Sequence, residues 1–127
     1  MKKNKRILIA RLGMDAHWRG SIVVARALRD AGMEVIYISN QMPENIIEVT
    51  MQEDPDIIGL SSLSGNHMIL ALEVVKLLKE KSMEKTRVVL GGTIPPKDIT
   101  KLKESGIAEI FATGTSLEKI VCYFARL

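Results

Sequence analysis

Disulfide chemistry is out of reach for this chain, which has a single cysteine, Cys122, among 127 residues. Set in a helical pattern, that thiol reads as a small buried hydrophobe. Aromatic residues are scarce at 4%, and the lysines and arginines are spread along the chain rather than gathered in a stripe. Nucleic-acid surfaces combine a basic face with stacking rings, so the net charge of +3 does not point to that class. Long apolar runs are missing as well. The segment from Met68 to Leu72 is far too short to cross a bilayer. The basic opening, Met1 to Arg6, leads through a short apolar run straight into a turn, which is not a signal-peptide pattern. These features point to a cytoplasmic protein without membrane or nucleic-acid partners.

What remains is ordinary globular composition, with 46% hydrophobic and 26% charged residues. The length suits one domain over 1–127 with a sizeable core.

Five strand–helix units follow one another. The first strand, Arg6 to Arg11, is aliphatic on both faces, as a parallel strand covered on both sides should be. A helix from Arg19 to Ala31 carries Val24, Ala27, Leu28 and Ala31 at helical spacing and stops at Gly32. Met33 to Ile38 is the second strand, and Ser39 to Met42 is a loop. Pro43 opens a helix that Asp54-Pro55 closes. The third strand, Asp56 to Ser61, runs into Ser62-Leu63-Ser64-Gly65-Asn66, and the longest helix covers His67 to Lys81. Thr86 to Leu90 is the fourth strand, followed by Gly91-Gly92-Thr93-Ile94-Pro95-Pro96 and a helix over Lys97 to Ser105. Ile107 to Ala112 is the fifth strand. A last helix has its stripe on Leu117, Ile120, Val121 and Phe124. Alternating strands and helices require a parallel sheet, and right-handed crossovers favour a doubly wound, flavodoxin-like order 2-1-3-4-5. Every loop that follows a strand then lies on the carboxyl edge, where such folds bind ligands.

Four stretches on that edge stand out. In Met14-Asp15-Ala16-His17-Trp18-Arg19-Gly20 a carboxylate precedes an imidazole by two residues. A lone histidine at a helix start is more often a surface or capping residue. Asp15 alters the weighing, because a carboxylate that accepts the Nδ1–H fixes the tautomer and turns Nε2 outward as a ligand. Ser61 and Ser62 are small hydroxyls of the kind that cap helices. Gly91-Gly92 leaves a strip of bare backbone, suited to a flat ligand or to a simple turn. Gly114-Thr115 precedes a helix N-terminus that could face a phosphate.

Asp15-x-His17-x-x-Gly20, Ser61-x-Leu63 and Gly91-Gly92, in this order on these loops, resemble the signature of base-off/His-on cobalamin-binding domains, and the similarity runs from Arg6 to Arg126. Leu60 to His67 and Gly91 to Asp98 look like the methylmalonyl-CoA mutase group. The resemblance implies that His17 is the axial cobalt ligand, with Asp15 as its hydrogen-bonding partner and Arg11 in contact with that aspartate. It places Ser61, Leu63, Gly91 and Gly92 around the displaced benzimidazole tail, and Gly114 and Thr115 at its nucleotide end. Met14, Ala16, Trp18, Gly20, Ser62, Thr93 and Ile94 complete the expected cofactor contacts. Ala16 and Trp18 depart from the family, which usually has glycine and a small or acidic residue there. The implied protein is the small subunit of an adenosylcobalamin-dependent acyl-CoA mutase. Its partner would be a separate barrel subunit that holds the acyl-CoA, and Trp18 and His67 are candidates for the border between them.

Three other readings compete. A corrinoid carrier of a methyltransferase system usually has a helical domain before the histidine motif, and only about five residues precede the first strand here. A receiver-type signalling domain needs an aspartate where Ser61 stands. A flavodoxin needs a Ser/Thr-rich phosphate loop, which Leu12-Gly13-Met14 is not.

Overall fold

Residues 7, 9 and 11 of the first strand face one way and residues 8 and 10 the other, and this parity carries through the whole sheet. The computed structural model describes residues 5–12, 19–62, 67–83, 85–92, 94–112 and 115–126. In chain order these form β1 (Arg6–Leu12), α1 (Arg19–Asp30), β2 (Glu34–Gln41), α2 (Pro43–Glu53), β3 (Ile57–Ser62), α3 (His67–Glu80), β4 (Arg87–Gly92), α4 (Pro96–Glu104), β5 (Glu109–Ala112) and α5 (Leu117–Arg126). All strand pairs are parallel, in the order β2-β1-β3-β4-β5. That is the doubly wound, flavodoxin-like topology expected from the alternation.

The register lines up odd positions with odd and even with even from β1 through β5, so side-chain alternation sorts them cleanly onto two faces. Leu8, Ala10, Ile58, Leu60, Val88 and Leu90 form the larger core with Ile46 and Ile47 of α2, the inner face of α3, and Leu102 of α4. Ile7, Ile9, Ile57 and Val89 pack instead against Ala25 and Leu28 of α1 and Ile120 and Phe124 of α5. Each such aliphatic side chain contributes roughly 1.5–3 kcal/mol by leaving water. Thr50, fully buried, donates its hydroxyl to the Ile46 carbonyl at 2.7 Å and so adds no unsatisfied group.

The amino-terminal end of the sheet is tied by charge. The Arg6 backbone N–H donates to Asp56 Oδ2 at 2.9 Å, its Nε to Glu34 at 2.8 Å, and its Nη1 to the Glu53 carbonyl at 2.7 Å. The Glu34 contact, by hydrogen bond and by charge, raises the Arg6 pKa further. Lys5 Nζ donates to the Phe124 carbonyl at 2.8 Å and to that of Ala125, closing the C-terminus of α5.

Several boundaries differ from expectation. β2 continues to Gln41, through residues read as a loop, because pairing of Leu12 with Gln41 extends it past an irregularity in the register. Ser62 and Gly91-Gly92 end strands rather than following them, since Ser61 pairs with Gly91 and Ser62 with Gly92. In α1 the helix ends at Asp30, which leaves Ala31 exposed in the turn while Ala25 takes the buried position. Cys122 is exposed, not buried. It lies two residues beyond buried Ile120, roughly 200° around the helix, and lines an open groove with Lys119 and Tyr123.

Candidate functional site

Where the strands reach their carboxyl ends, the register brings Arg11, Ser61, Gly91 and Phe111 into one row across four strands. Their odd parity puts the row on the α1/α5 face, in line with Phe111 packing beside Tyr123 and Phe124. Each is half-buried. The row beneath it runs Tyr37, Ile9, Gly59, Val89, Glu109.

The two glycines of these rows differ in what surrounds them. A Cβ on Gly59 would stand 2.7 Å from Ile9 Cδ1 and 3.8 Å from the Phe124 ring, so the space over Gly59 is already filled by the core. A Cβ on Gly91 would meet only the carbonyl oxygens of Phe111 at 3.7 Å and Leu60 at 4.0 Å, which is ordinary contact. Among the described residues, no side chain comes within 4 Å of that position. Gly91 leaves bare backbone in this row, paired with Ser61 on one side and Phe111 on the other, with Arg11 beyond Ser61. Such a slot admits a flat ring laid on bare backbone, and a side chain there would fill it. Gly92 follows with φ +130°, a conformation that a residue with a Cβ rarely adopts.

Other expected site residues fall around this row. Gly20 lies in the first turn of α1, and Ser62 pairs with Gly92 at the edge. Thr115 holds the edge after β5: its hydroxyl donates to the Ala112 carbonyl at 2.7 Å, and Ser116 Oγ accepts the Lys119 N–H at 3.2 Å to cap α5. Ile94 is placed apart, 6% exposed in the core of the opposite face. Met14, Asp15, Ala16, His17, Trp18, Leu63, Thr93 and Gly114 lie outside the described residues. Phe111 was not among the expected residues. The alternation of the fifth strand could have marked it, since it shares parity with Gly91.

The slot's β5 side carries two perturbed groups. Burial pushes the Glu109 carboxyl upward, but the Ile110 N–H at 3.0 Å and the Lys103 ammonium at 2.9 Å outweigh it and hold the group below its ordinary value. Burial, followed by the Glu109 charge, raises the Tyr123 phenol, which keeps it a neutral hydrogen-bonding group. Among the described residues, no helix is long and apolar enough to cross a membrane.

Comparison with known proteins places the chain in a family. The chain is 39% identical over 117 residues to the 2-hydroxyisobutanoyl-CoA mutase small subunit of Aquincola tertiaricarbonis, covering 91% of this chain and 86% of that one. It is 38% identical to the pivalyl-CoA mutase small subunit of Xanthobacter autotrophicus, covering 91% and 78%. Methylmalonyl-CoA mutase of Escherichia coli is 40% identical over 116 residues, but the chain spans only 16% of its length. Among solved structures, a cobalamin-binding protein from Desulfitobacterium hafniense superposes with a TM-score of 0.84 at 21% identity, covering 98% of this chain and 59% of that one. The receiver domain of NarL from Mycobacterium tuberculosis superposes at 0.76 and 18%, covering 98% and 96%. Identities this low show the shared fold alone, and the fold serves both kinds of protein. The family model of the B12 binding domain matches residues 5–121. This chain belongs to the B12-binding domain family, and cobalamin is its cofactor.

Proposed function

We propose that this chain is a single cobalamin-binding domain that serves as the small subunit of an adenosylcobalamin-dependent acyl-CoA mutase. It would work in the cytoplasm beside a larger barrel subunit that holds the acyl-CoA. One observation of the structure supports the binding half of this reading: among the described residues no side chain meets the position over Gly91, next to Ser61, on one face of the sheet edge. The likeness to two mutase small subunits over most of their length supports the reaction half.

Each part of the chain then has a task. His17, which follows β1 in the chain, would offer one imidazole nitrogen to cobalt. Asp15 accepts the other ring N–H and fixes its tautomer, and Arg11, at the end of the same strand, stands within that neighbourhood. Ser61, Leu63, Gly91 and Gly92 hold the flat tail against bare backbone on the α1/α5 side, and Phe111 closes the slot toward β5. Gly114 and Thr115 meet the nucleotide end near the start of α5. Met14, Ala16, Trp18, Gly20, Ser62 and Thr93 would complete the surroundings, whereas Ile94 is packed in the core of the opposite face. The bound cofactor supplies a cobalt–carbon bond that breaks homolytically to a carbon radical. The protein's own work is to position the corrin, keep water away from it and set the basicity of the axial nitrogen.

The test is spectroscopic. On adding adenosylcobalamin, the wild-type chain is expected to give the base-off/His-on absorbance change, and His17→Ala is expected to lose it while keeping the same melting temperature. A wild-type chain without that change, or a His17→Ala variant indistinguishable from it, would sink the assignment.

A further inference from the structure

The outermost strands of the sheet are β2 and β5. An outermost strand turns half of its backbone groups outward, where another chain can pair with them. Neither Glu34–Gln41 nor Glu109–Ala112 contains the lysine or proline that commonly blocks such pairing. Both carry strong strand formers instead, Val35 to Ile38 in one and Ile110 and Phe111 in the other.

The register decides which groups of β5 face out. The Phe111 carbonyl lies 3.7 Å from a Cβ placed on Gly91 of β4, so it turns inward. By alternation the N–H and C=O groups of Ile110 and Ala112 turn outward. The chain's own groups meet them. Glu109 Oε1 accepts the Ile110 N–H at 3.0 Å, and Lys103 Nζ of α4 holds that same oxygen at 2.9 Å. The Ala112 carbonyl accepts the Thr115 N–H at 3.1 Å and the Thr115 hydroxyl at 2.7 Å. The opposite edge is treated alike. The Glu34 N–H donates inward to the Lys5 carbonyl at 2.9 Å, which turns Val35 outward, and the Val35 carbonyl accepts a bond from Arg29 Nη2 at 3.3 Å.

We propose that Glu109, held by Lys103, is a guard that keeps β5 from pairing with β5 of a second copy of this chain. A second copy is the partner excluded because the edge is complementary to itself. Two β5 strands related by a two-fold axis run antiparallel, and Ile110 of each would exchange both backbone bonds with Ile110 of the other. That exchange needs the Ile110 N–H, which Glu109 occupies. Thr115 takes up the next outward acceptor, the Ala112 carbonyl, in the same way. The device is independent of cobalamin and of the function proposed above.

Sedimentation over a range of protein concentrations tests it, together with backbone hydrogen exchange at Ile110. The wild-type chain is expected to stay monomeric, with exchange at Ile110 independent of concentration. Glu109→Ala should keep the wild-type circular dichroism and form dimers as concentration rises. Its Ile110 amide should exchange at least about tenfold faster than wild type in dilute solution, and slow down again as the dimer forms. Glu109→Gln loses the charge but keeps an oxygen that can accept the Ile110 N–H, and should remain monomeric. The proposal is overturned if Glu109→Ala stays monomeric, or if its dimers leave Ile110 exchanging as in dilute solution. It is also overturned if Glu109→Gln dimerises as strongly as Glu109→Ala, because charge repulsion rather than an occupied amide would then be the barrier. Wild-type dimers with a protected Ile110 amide would equally overturn it.

Discussion

The two ends of the sheet are built on opposite principles. At the amino-terminal end, long charged side chains reach across elements: Arg6 joins β1 to β2, to Asp56 just ahead of β3 and to the end of α2. At the carboxyl end, the row Arg11, Ser61, Gly91, Phe111 has its two smallest residues in the middle, and the helices that begin there expose Met42, Ile69 and Leu117. One end is closed by its own side chains. Among the described residues, the other has small residues at its centre. A fold in which stabilising contacts gather at one end leaves the opposite end free to carry residues chosen for a ligand.

The strongest way to break this comparison is to place a side chain in the space over Gly91. Gly91→Leu is expected to weaken cobalamin binding about a hundredfold or more, equivalent to about 2.8 kcal/mol. Its melting temperature should move by less than about 4 °C, because nothing in the protein is displaced. Unchanged affinity would show that the slot is not where the cofactor's tail lies. The matched substitution one row down should behave in the reverse manner. In Gly59→Ala the new methyl meets Ile9 Cδ1 at 2.7 Å. Chemical denaturation should report a loss of about 1–3 kcal/mol, while the folded fraction binds cobalamin as before. Equal behaviour of the two glycine variants would erase the distinction between filled and open positions.

The smallest expected effect concerns the ion pair of Glu109, one row beneath Phe111. Glu109 titrates below its ordinary value in the folded chain, so its ion pair adds stability that is present above the unfolded carboxyl's pKa. That contribution is lost as pH falls through the lower folded value. Melting temperatures followed from neutral pH into acid should therefore decline less steeply for Glu109→Gln than for wild type. Parallel curves would mean that the Lys103 contact is fully screened by solvent.

Much of the architecture was legible in the order of residues. Continuous aliphatic runs such as Ile7 to Ala10 and Ile57 to Leu60 can be covered only from both sides, and that requirement alone yields the two helix layers. What escaped were features decided by neighbours. Gly91-Gly92 and Ser62 read as following their strands; they are strand because Ser61-Ser62 and Gly91-Gly92 pair with each other. Ser39 to Gln41 is strand for a similar reason, through Leu12. The rotation of α5 that exposes Cys122 could have been derived from Ile120 and Phe124, but cysteine's general preference for burial pointed the other way.

The slot shows the same division. Its glycines and hydroxyls were visible as a set, but their meeting in one row depends on a register that no single strand encodes. Phe111 was missed because it lies in an otherwise unremarkable strand, and only pairing with Gly91 gives it a place. The distinction between Gly59 and Gly91 depends on where the Ile9 side chain goes, which is a matter of packing.

The hydrogen bonds from Lys5 to the end of α5 have a consequence for how such a domain can be wired into larger proteins. Residue 5 and residues 124–125 meet at the closed end of the sheet, with the length of the strands between them and the slot. Polypeptide attached near either position departs from the side facing away from the Gly91 row. A tether there can be long, short or cut altogether without crossing the working surface. The same module can thus serve as a free-standing subunit or as a segment of a single mutase chain.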